Sequence, residues 1–189
     1  MAKSLRILIA EDESIIRLGL CRILEEVGHQ TVAASDGQTA IKLARQTGPD
    51  VAILDVKMPG LDGLETARLL YEQRPLPILL LTAYGDRELV ERAAALPIMA
   101  YLIKPVDERE LLATLDVVTA RFAEFQWLHQ QAAALEDEMA TRKAVERAKG
   151  VLMSREGLSE EEAYRAIQRR AREGRCSMRE VAEGILAGG

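Results

Sequence analysis

The sequence predicts an α/β fold: a doubly wound, five-stranded parallel sheet followed by a coiled-coil helix and a small three-helix domain. Up to about residue 105, short apolar runs alternate with amphipathic stretches at intervals of about 20 to 25 residues, which is typical of βαβ units. After Pro105 the strand-like runs stop and helical patterns follow. The length of 189 residues fits one domain of about 120 residues and a smaller helical unit.

Five apolar runs predict the strands of the sheet. They are RILIA near residue 8, TVAA near residue 32, VAILD near residue 53, PILLLT near residue 79 and MAYLI near residue 101. The stretch after the first strand has the spacing of an amphipathic helix, and Gly28 is its expected C-cap. Strands and helices that alternate in this way predict a parallel sheet covered on both faces.

A long helix is predicted to begin after Asp107, which has the spacing of an N-cap with Glu110 as its reciprocal carboxylate. Apolar residues at 111, 115, 118, 122 and 125 step by four and three, and the stepping resumes at 128, 132, 135 and 139 after a three-residue slip at Phe125. This pattern is a heptad seam with one stammer. We expect the first two turns to pack on the preceding domain. Beyond Phe122 the pattern favours a partner helix or a second chain.

Three helical segments are predicted at the C-terminal end. They are the end of the long helix to about residue 155, and helices over about 160–173 and 178–186. Ser159 with Glu162, and Ser177 with Glu180, have the spacing of capping boxes. Because each short helix needs its neighbours to bury its apolar face, we expect the three segments to share one core.

The C-terminal quarter differs in charge from the rest of the chain. Residues 141–189 hold 11 Lys and Arg against 8 Asp and Glu, whereas residues 1–140 hold 14 against 22. This asymmetry indicates a separate kind of surface. We therefore predict an α/β domain over 1–120, a coiled-coil linker helix over 121–140 and a helical domain over 141–189.

The composition argues against several classes of protein. Cys21 and Cys176 lie far apart, without a CxxC motif or a His/Cys cluster, which argues against a disulfide framework and a zinc site. The first apolar run is too short and too broken by charge for a signal peptide. No stretch approaches the roughly 20 apolar residues of a membrane span. We expect a cytoplasmic protein that does not bind membranes.

Polar residues stand at the ends of four of the five predicted strands. They are Glu11, Asp12 and Glu13 after the first strand, Asp55 on the third, Thr82 on the fourth and Lys104 on the fifth. Ligands of open parallel sheets bind beyond these carboxyl ends. Clustered carboxylates repel one another unless a cation neutralises them, and oxygen ligands suit Mg²⁺. The pattern predicts Asp55 as a nucleophile that attacks phosphorus, with Lys104 and Thr82 binding phosphoryl oxygens. A structural ion pair and a capped loop are the alternatives for Lys104 and Thr82.

Four motifs lie in order along the first 120 residues. They are EDE at 11–13, LDVKMPGLDG at 54–63, LLLTA at 79–83 and YLIKP at 101–105. Together they resemble the receiver domain of two-component response regulators, which has a flavodoxin-like fold. The resemblance implies that Asp55 is the phosphoacceptor. It also implies that Glu11, Asp12, Asp55 and the backbone carbonyl of Lys57 bind Mg²⁺.

The same resemblance implies roles for residues of the last two strands. Lys104 and Thr82 would hold the phosphoryl group, and Thr82 and Tyr101 would form a switch pair. A cis peptide bond is expected before Pro105, since proline makes such a bond inexpensive. Pro97 stands where receivers usually turn on a glycine. The output face formed by the fourth helix and the fifth strand is therefore expected to differ in shape.

The C-terminal residues carry AKGVLM at 148–153, VAEGIL at 181–186, and the pairs Ala163-Tyr164 and Ala171-Arg172. These features resemble the ANTAR domain, the RNA-binding module of transcription antitermination regulators, with a family unit that would begin near residue 125. The resemblance implies an RNA hairpin in a nascent transcript as ligand, and a dimer as the active form. The residues predicted to contact RNA are Arg147, Lys149, Tyr164, Arg165, Arg169, Arg170 and Arg172. The same charges also fit a helical face held by ion pairs, because Arg165 lies four residues after Glu161.

The sequence favours a response regulator whose Asp55 accepts phosphate from a sensor histidine kinase. Phosphorylation would favour a homodimer through residues 111–140, which binds RNA hairpins. A receiver that controls a DNA-binding domain is the alternative, although the tail lacks a distinct recognition helix. A metabolic phosphatase or phosphotransferase is a third possibility, but no apolar substrate pocket or second base is apparent. We therefore expect a regulator and not an enzyme.

Overall fold

The computed structural model describes residues 4–83 and 98–187. Within them, five strands form one all-parallel sheet in the order β2-β1-β3-β4-β5. The strands are β1 Arg6–Ala10, β2 Gln30–Ala34, β3 Val51–Asp55, β4 Ile78–Thr82 and β5 Ile98–Ile103. The first three helices are α1 Ser14–Glu26, α2 Gly37–Thr47 and α3 Gly63–Gln73. The predicted doubly wound sheet is confirmed. Pro97 and the helix expected between β4 and β5 lie outside the described residues.

The three inner strands, β1, β3 and β4, bury alternate residues on the two faces of the sheet, as the two-residue period of a strand requires. On one face, Leu8 and Leu54 pack with side chains of α2 and α3. On the other face, Ile7 and Ile53 pack with side chains of α1 and of the helix that follows β5. All five residues of β3 are buried because this strand is central and covered on both sides. Functional side chains can therefore lie only at the ends of such strands.

The long helix α4, Glu108–Glu156, changes its surroundings at Phe125. Leu111, Leu115, Val118 and Phe122 are all buried, whereas Phe125 is 41% exposed. Beyond that point the apolar residues of the second heptad register lie in solvent: Leu128, Leu135 and Met139 are 53%, 60% and 59% exposed. The helix therefore packs on the sheet domain for about four turns, whereas the sequence predicted such packing for the first two turns only. The stammer marks the change from a buried seam to an exposed one.

The C-terminal helices α5, Glu160–Gly174, and α6, Met178–Ala187, share a core with the end of α4. Val145 and Leu152 of α4 pack with Ile167 of α5 and Ala182 of α6. Ser159 forms the predicted capping box with Glu162 at the start of α5. Ser177 and Glu180 form the same reciprocal bonds before α6. The three predicted helical segments are confirmed.

The chain forms two units, Met1–Phe125 and Gln126–Gly189. Helix α4 runs without a break through residues 120 and 140. The division into 1–120, 121–140 and 141–189 therefore stays a prediction, because no change of secondary structure marks its inner boundaries. Among the described residues, no helix has the length and apolar character needed to cross a membrane.

Candidate functional site

The parallel register brings the ends of β1, β3, β4 and β5 to one edge of the sheet. Ala10 pairs with Leu54, and Asp55 pairs with Leu81. The amide of Lys104 donates a hydrogen bond to the carbonyl of Thr82 over 2.8 Å. The residues that follow these pairs therefore share the edge at which parallel sheets bind their ligands.

Three carboxylates from two strand ends form an acidic cluster. Oxygen atoms of Glu11, Asp12 and Asp55 all lie within 4.8 Å of one another. Glu11 is fully buried and Asp55 is 5% exposed, whereas Asp12 is exposed. Two buried acids and one exposed acid thus form a site that is open to solvent at Asp12.

Lys104 brings one positive charge into the acidic cluster. Its Nζ atom lies 2.7 Å from Glu11 Oε2 and 3.0 Å from Asp55 Oδ1. Burial alone lowers the pKa of Lys104, but hydrogen bonds and charge interactions with Glu11 and Asp55 outweigh it and raise the pKa above its ordinary value. Lys104 is therefore protonated at neutral pH. The Lys104–Pro105 peptide bond is cis, as the sequence resemblance implied.

Glu11 is the most deeply buried acid of the cluster. Burial raises the pKa of the Glu11 carboxyl, contact with Lys104 opposes this rise, and the charge of Asp55 adds to it. Lys104 Nζ lies 2.7 Å from the buried Glu11 Oε2 and is its ion-pair partner. A carboxylate has lone pairs for more than one partner, so Glu11 can contact a further cation.

The acidic cluster has the donor chemistry that Mg²⁺ prefers. Its three carboxylates carry more negative charge than Lys104 can neutralise, and hard oxygen ligands select magnesium over softer metals. Mg²⁺ keeps several of its waters when it binds a protein, and the exposed side of the cluster gives such waters access. The residues that fit this ion are Glu11, Asp12 and Asp55.

The loop that follows Asp55 lies closely against the backbone of that residue. A Cβ atom added at Gly63 would lie 2.1 Å from the carbonyl oxygen of Asp55, which is far inside van der Waals contact. The amide of Gly63 donates to the carbonyl of Val56 over 3.0 Å. Glycine alone permits this approach. Lys57 lies exposed on the same loop, and the proposed use of its carbonyl stays a prediction.

Thr82 and Tyr101 lie on neighbouring strands. Thr82 is half-buried, and its hydroxyl donates to the carbonyl of Ala83 over 3.2 Å. Tyr101 is 55% exposed, so its ring is not packed into the core in this state. Their role as a switch pair stays a prediction.

Arg17 contacts the site although no motif marks it. It lies in the first turns of α1, and its Nη1 atom donates to the carbonyl of Glu11 over 2.5 Å and to that of Asp12 over 3.2 Å. The sequence signal for this contact was a basic residue five positions after Asp12, in a stretch that is otherwise acidic.

Exposed arginines follow one face of α5. Arg165, Arg169 and Arg172 are spaced by four and three residues, so they lie along one stripe opposite the buried face of the helix. Arg165 pairs with Glu161 over 2.5 Å. In the described parts of the chain, Arg169 and Arg172 have no acidic partner within ion-pair distance. Tyr164, beside the stripe, is 43% exposed.

Lys149 does not lie on the exposed surface that its predicted RNA contact requires. It is 7% exposed, and its ammonium group lies 2.9 Å from Glu146 and 2.6 Å from Glu160. Two exposed carboxylates thus cover the charge at the surface of the C-terminal unit, where it links α4 to the start of α5. The prediction of an RNA-facing Lys149 does not fit this position.

The remaining predicted RNA contacts differ in their surroundings. Arg147 is exposed on α4. Arg170 lies on the packed side of α5 and pairs with Glu156 of α4 over 3.3 Å. Arg170 therefore joins two helices of the unit although it is exposed, and the RNA contacts predicted for Arg147 and Arg170 stay predictions.

Two family models match this chain. The model of the response regulator receiver domain matches residues 7–116. The model of the ANTAR domain matches residues 133–186. The first match contains the acidic cluster and Lys104, and the second contains the arginine stripe of α5.

Several proteins are similar to the whole chain or to its receiver part. The transcriptional regulatory protein PdtaR of Mycobacterium tuberculosis is 44% identical over 182 residues, which cover 96% of this chain and 89% of PdtaR. Protein PilH of Pseudomonas aeruginosa is 38% identical over 121 residues, which cover 61% of this chain and 98% of PilH. Among solved structures, the chemotaxis protein CheY4 of Vibrio cholerae is 30% identical with a TM-score of 0.59, and covers 61% of this chain and 99% of CheY4.

The similarity to PdtaR extends through both units, and the two family models match in the same order along the chain. Receiver domains generally bind Mg²⁺ through acidic residues, which agrees with the acidic cluster found at the strand ends. The chain belongs to the response regulators that join an N-terminal receiver domain to a C-terminal ANTAR domain, and it is a regulator rather than a metabolic enzyme.

Proposed function

We propose that this chain is a phosphorylation-activated antiterminator of the cytoplasm, which binds RNA when its receiver domain is phosphorylated on Asp55. The observation that carries the proposal is the meeting of Asp55, Glu11, Asp12 and Lys104 at one sheet edge. The ANTAR match on the same chain supplies the RNA-binding part of the proposal. The similar protein PdtaR is a transcriptional regulatory protein, which agrees with the proposal.

Asp55 is the proposed phosphoacceptor, and a phosphohistidine of a sensor histidine kinase is the donor. A carboxylate oxygen of Asp55 attacks the phosphorus atom; the new O–P bond forms as the P–N bond breaks, and the departing imidazole keeps the electron pair. Lys104, which lies 3.0 Å from Asp55 Oδ1, is close enough to balance the charge of the transferred group. The hydroxyl of Thr82 is proposed to donate to one phosphoryl oxygen.

Mg²⁺ is the proposed cofactor. Glu11, Asp12 and Asp55 would hold it, with the carbonyl of Lys57 as a further ligand. When bound, the ion supplies positive charge that offsets the repulsion between the carboxylates and the incoming phosphoryl oxygens. The chain's own contribution is to keep two of these acids buried and close together before the donor arrives.

Thr82 and Tyr101 are proposed to report the phosphorylated state. Once the Thr82 hydroxyl turns towards the phosphoryl group, space opens beside β5, and the exposed ring of Tyr101 moves inward to fill it. Such a change shifts an equilibrium only if the two states differ in affinity for a partner. We propose that the partner is a second copy of this chain.

The homodimer is proposed to form along the second heptad register of α4. Leu128, Leu135 and Met139 are exposed at heptad spacing, which is the arrangement of an unpaired coiled-coil seam. Residues 111–122 already pack on the receiver domain. The dimer contact that we propose is therefore shorter than the predicted 111–140. It lies inside the linker helix that we place at 121–140, between a receiver domain of 1–120 and an RNA-binding domain of 141–189.

The ligand proposed for the C-terminal domain is an RNA hairpin in a nascent transcript. Arg165, Arg169 and Arg172 form a positive stripe that would bind phosphates, and the exposed ring of Tyr164 lies beside it as a platform for an unpaired base. Arg147 adds an exposed charge on α4. Lys149 and Arg170 are proposed to support the fold of the domain instead.

A binding experiment tests this assignment. The full chain, phosphorylated with acetyl phosphate in Mg²⁺, is titrated against a pool of RNA hairpins with randomised loops and against duplex DNA of equal length. We expect the hairpins to be bound in preference to the duplex. Changing Arg169 and Arg172 to Glu should weaken hairpin binding by about tenfold or more and reduce its dependence on salt, because two phosphate contacts are lost.

A matched control has the same charge change on the receiver domain. Arg22 and Arg68, both exposed and each paired with an acid one turn away, are changed to Glu. This variant should bind hairpins with nearly the affinity of the unchanged chain. Preferential binding of duplex DNA, or equal losses in both variants, would contradict the assignment.

A further inference from the structure

The loop between β1 and α1 carries two of the three clustered acids, Glu11 and Asp12. The amide of Glu11 donates to the carbonyl of Ala34 on β2 over 3.1 Å, and this bond continues the sheet. The amide of Glu13 donates to the Glu11 carboxylate over 3.3 Å. These two bonds fix the start of the loop and one acid, but neither of them reaches the backbone of Asp12.

Arg17 supplies the contact that reaches Asp12. Its Nη1 atom donates to the carbonyls of Glu11 and Asp12, over 2.5 and 3.2 Å. The backbone of Arg17 is itself fixed, because its amide donates to the carbonyl of Glu13 over 3.0 Å in the first turn of α1. Glu13, the N-cap residue, makes no side-chain capping bond, so a side chain from within the helix ties the loop to α1.

We propose that Arg17 is a positioning residue for the metal-binding loop. By holding two consecutive carbonyls, its guanidinium fixes the direction in which the Glu11 and Asp12 side chains leave the backbone, so that both carboxylates face Asp55. Groups that orient metal ligands in this way commonly change metal affinity when they are removed. The inference rests on the proposed use of the cluster as a Mg²⁺ and phosphorylation site.

The fold of α1 does not depend on this contact. Leu20 and Leu24, which are 3% and 0% exposed, anchor the helix on the sheet one and two turns further along. Removing the guanidinium should therefore free the loop while α1 stays in place. Arg22 offers a matched control on the same helix, since its side chain is 80% exposed and pairs with Glu26.

The test compares the full chain with Arg17→Met and Arg22→Met, each of which removes one positive charge from α1. Mg²⁺ is titrated into each protein, and the dissociation constant is read from backbone amide shifts in NMR spectra. We expect Arg17→Met to bind Mg²⁺ about tenfold more weakly, and Arg22→Met to bind like the unchanged chain. In the absence of metal, the amides of Glu11 and Glu13 should exchange with solvent faster in Arg17→Met than in the other two proteins.

Phosphorylation by acetyl phosphate gives a second readout that a general loss of stability would not imitate. The labelling rate of Arg17→Met should fall at low Mg²⁺ and recover most of its loss when Mg²⁺ is raised to saturation. If Arg17→Met does not fold, Arg17→Lys replaces it, and its shorter side chain should still weaken Mg²⁺ binding severalfold.

Two outcomes separate this inference from the proposed function on which it rests. An unchanged chain that neither binds Mg²⁺ nor becomes phosphorylated would overturn the proposed function. An unchanged chain that does both, with Arg17 variants that match Arg22→Met in affinity and amide exchange, would overturn the positioning role of Arg17 alone.

Discussion

Lys104 is shared by two buried carboxylates, Glu11 and Asp55, at distances of 2.7 and 3.0 Å. A buried ion pair is a weak source of stability, because desolvation offsets most of the attraction. The arrangement is better understood as preorganisation: the positive charge is already in place where a phosphoryl group would add negative charge. At the scale of single residues, the positive charge of Lys104 is thus in place before a ligand binds, and its ion pairs add little stability.

The close approach of Gly63 to the Asp55 carbonyl gives a prediction at this scale. In Gly63→Ala, the new methyl group would lie 2.1 Å from that carbonyl oxygen, so the loop after β3 has to move. We expect a loss of about 1–3 kcal/mol in the free energy of unfolding. Displacement of the reacting carboxylate should also slow labelling by acetyl phosphate by up to about a hundredfold.

Gly19→Ala is the matched control, because a Cβ atom at Gly19 meets nothing within 4 Å. An alanine there should keep the labelling rate and stabilise α1 by up to about 1 kcal/mol. Urea unfolding and the rate of labelling measure the two effects. A Gly63→Ala protein that is labelled at the rate of Gly19→Ala would show that the loop is not held as described.

The site residues of the receiver domain could be listed from sequence because parallel strands place their ends together. That rule located Glu11, Asp55 and Lys104 without coordinates. It could not locate Arg17, whose contacts go to backbone carbonyls and follow no motif. It also could not show that Lys149 is buried, since one of its partners, Glu160, lies across a turn and eleven positions away.

At the scale of elements, α4 has two apolar seams, of which the first is buried and the second is exposed. Leu115 is 1% exposed in the core beneath the sheet, whereas Leu135 is 60% exposed on the later register. We expect Leu115→Ala to lower the free energy of unfolding of the receiver domain by about 2–5 kcal/mol. Leu135→Ala should leave that value nearly unchanged and weaken the homodimer.

Denaturant unfolding and light scattering at several protein concentrations separate the two variants. The same truncation is made in both, so the size of the lost side chain is matched. Dimers of Leu135→Ala that are as tight as those of the unchanged chain would exclude the exposed register as the seam. Equal losses of unfolding free energy in both variants would contradict the division of α4 at Phe125.

The caps of α5 and α6 predict a pH dependence. Hydrogen bonds from Ser159 lower the pKa of Glu162, and hydrogen bonds from Ser177 lower the pKa of Glu180, both from an ordinary value of 4.5. A carboxyl whose pKa is lowered by folding stabilises the folded state above its ordinary pKa. This stabilisation is lost as the pH falls through the lower, folded value.

We therefore expect the C-terminal helices to lose stability below about pH 4.5 more steeply in the unchanged chain than in a Glu162→Gln, Glu180→Gln variant. Thermal unfolding followed by circular dichroism at several pH values gives both profiles. Acid effects on the receiver domain are common to the two proteins and cancel in the difference. Parallel profiles would mean that the two carboxylates do not stabilise their helices.

The elements themselves were predictable because their patterns are local. Strand runs such as VAILD and the capping boxes at Ser159 and Ser177 lie where the sequence placed them. The length of the buried part of α4 was not predictable, because one apolar stripe looks the same whether it faces a sheet or a partner helix. The slip in heptad spacing at Phe125 could be read from the sequence. That it marks the end of the buried seam follows only from the burial of Val118 and Phe122 in the structure.

At the scale of the whole molecule, one chain carries the acidic cluster proposed for phosphorylation, an exposed helical seam and a basic helical face. The receiver unit contains the acidic cluster and the first part of α4, and the second unit contains the exposed seam and the arginine stripe. Under the proposed function, a signal at Asp55 would reach RNA through a change in the association of copies or in the exposure of the stripe. Either route needs a state that Asp55 phosphorylation favours.

The most direct test of the central claim is the mass of the intact chain after incubation with acetyl phosphate and Mg²⁺. We expect the mass to rise by one phosphoryl group. This rise should disappear in Asp55→Asn and also when Mg²⁺ is withheld. Asp55→Asn should still show an intact unfolding transition. A chain that gains no phosphoryl group, or an Asp55→Asn protein that gains it as readily, would contradict the account.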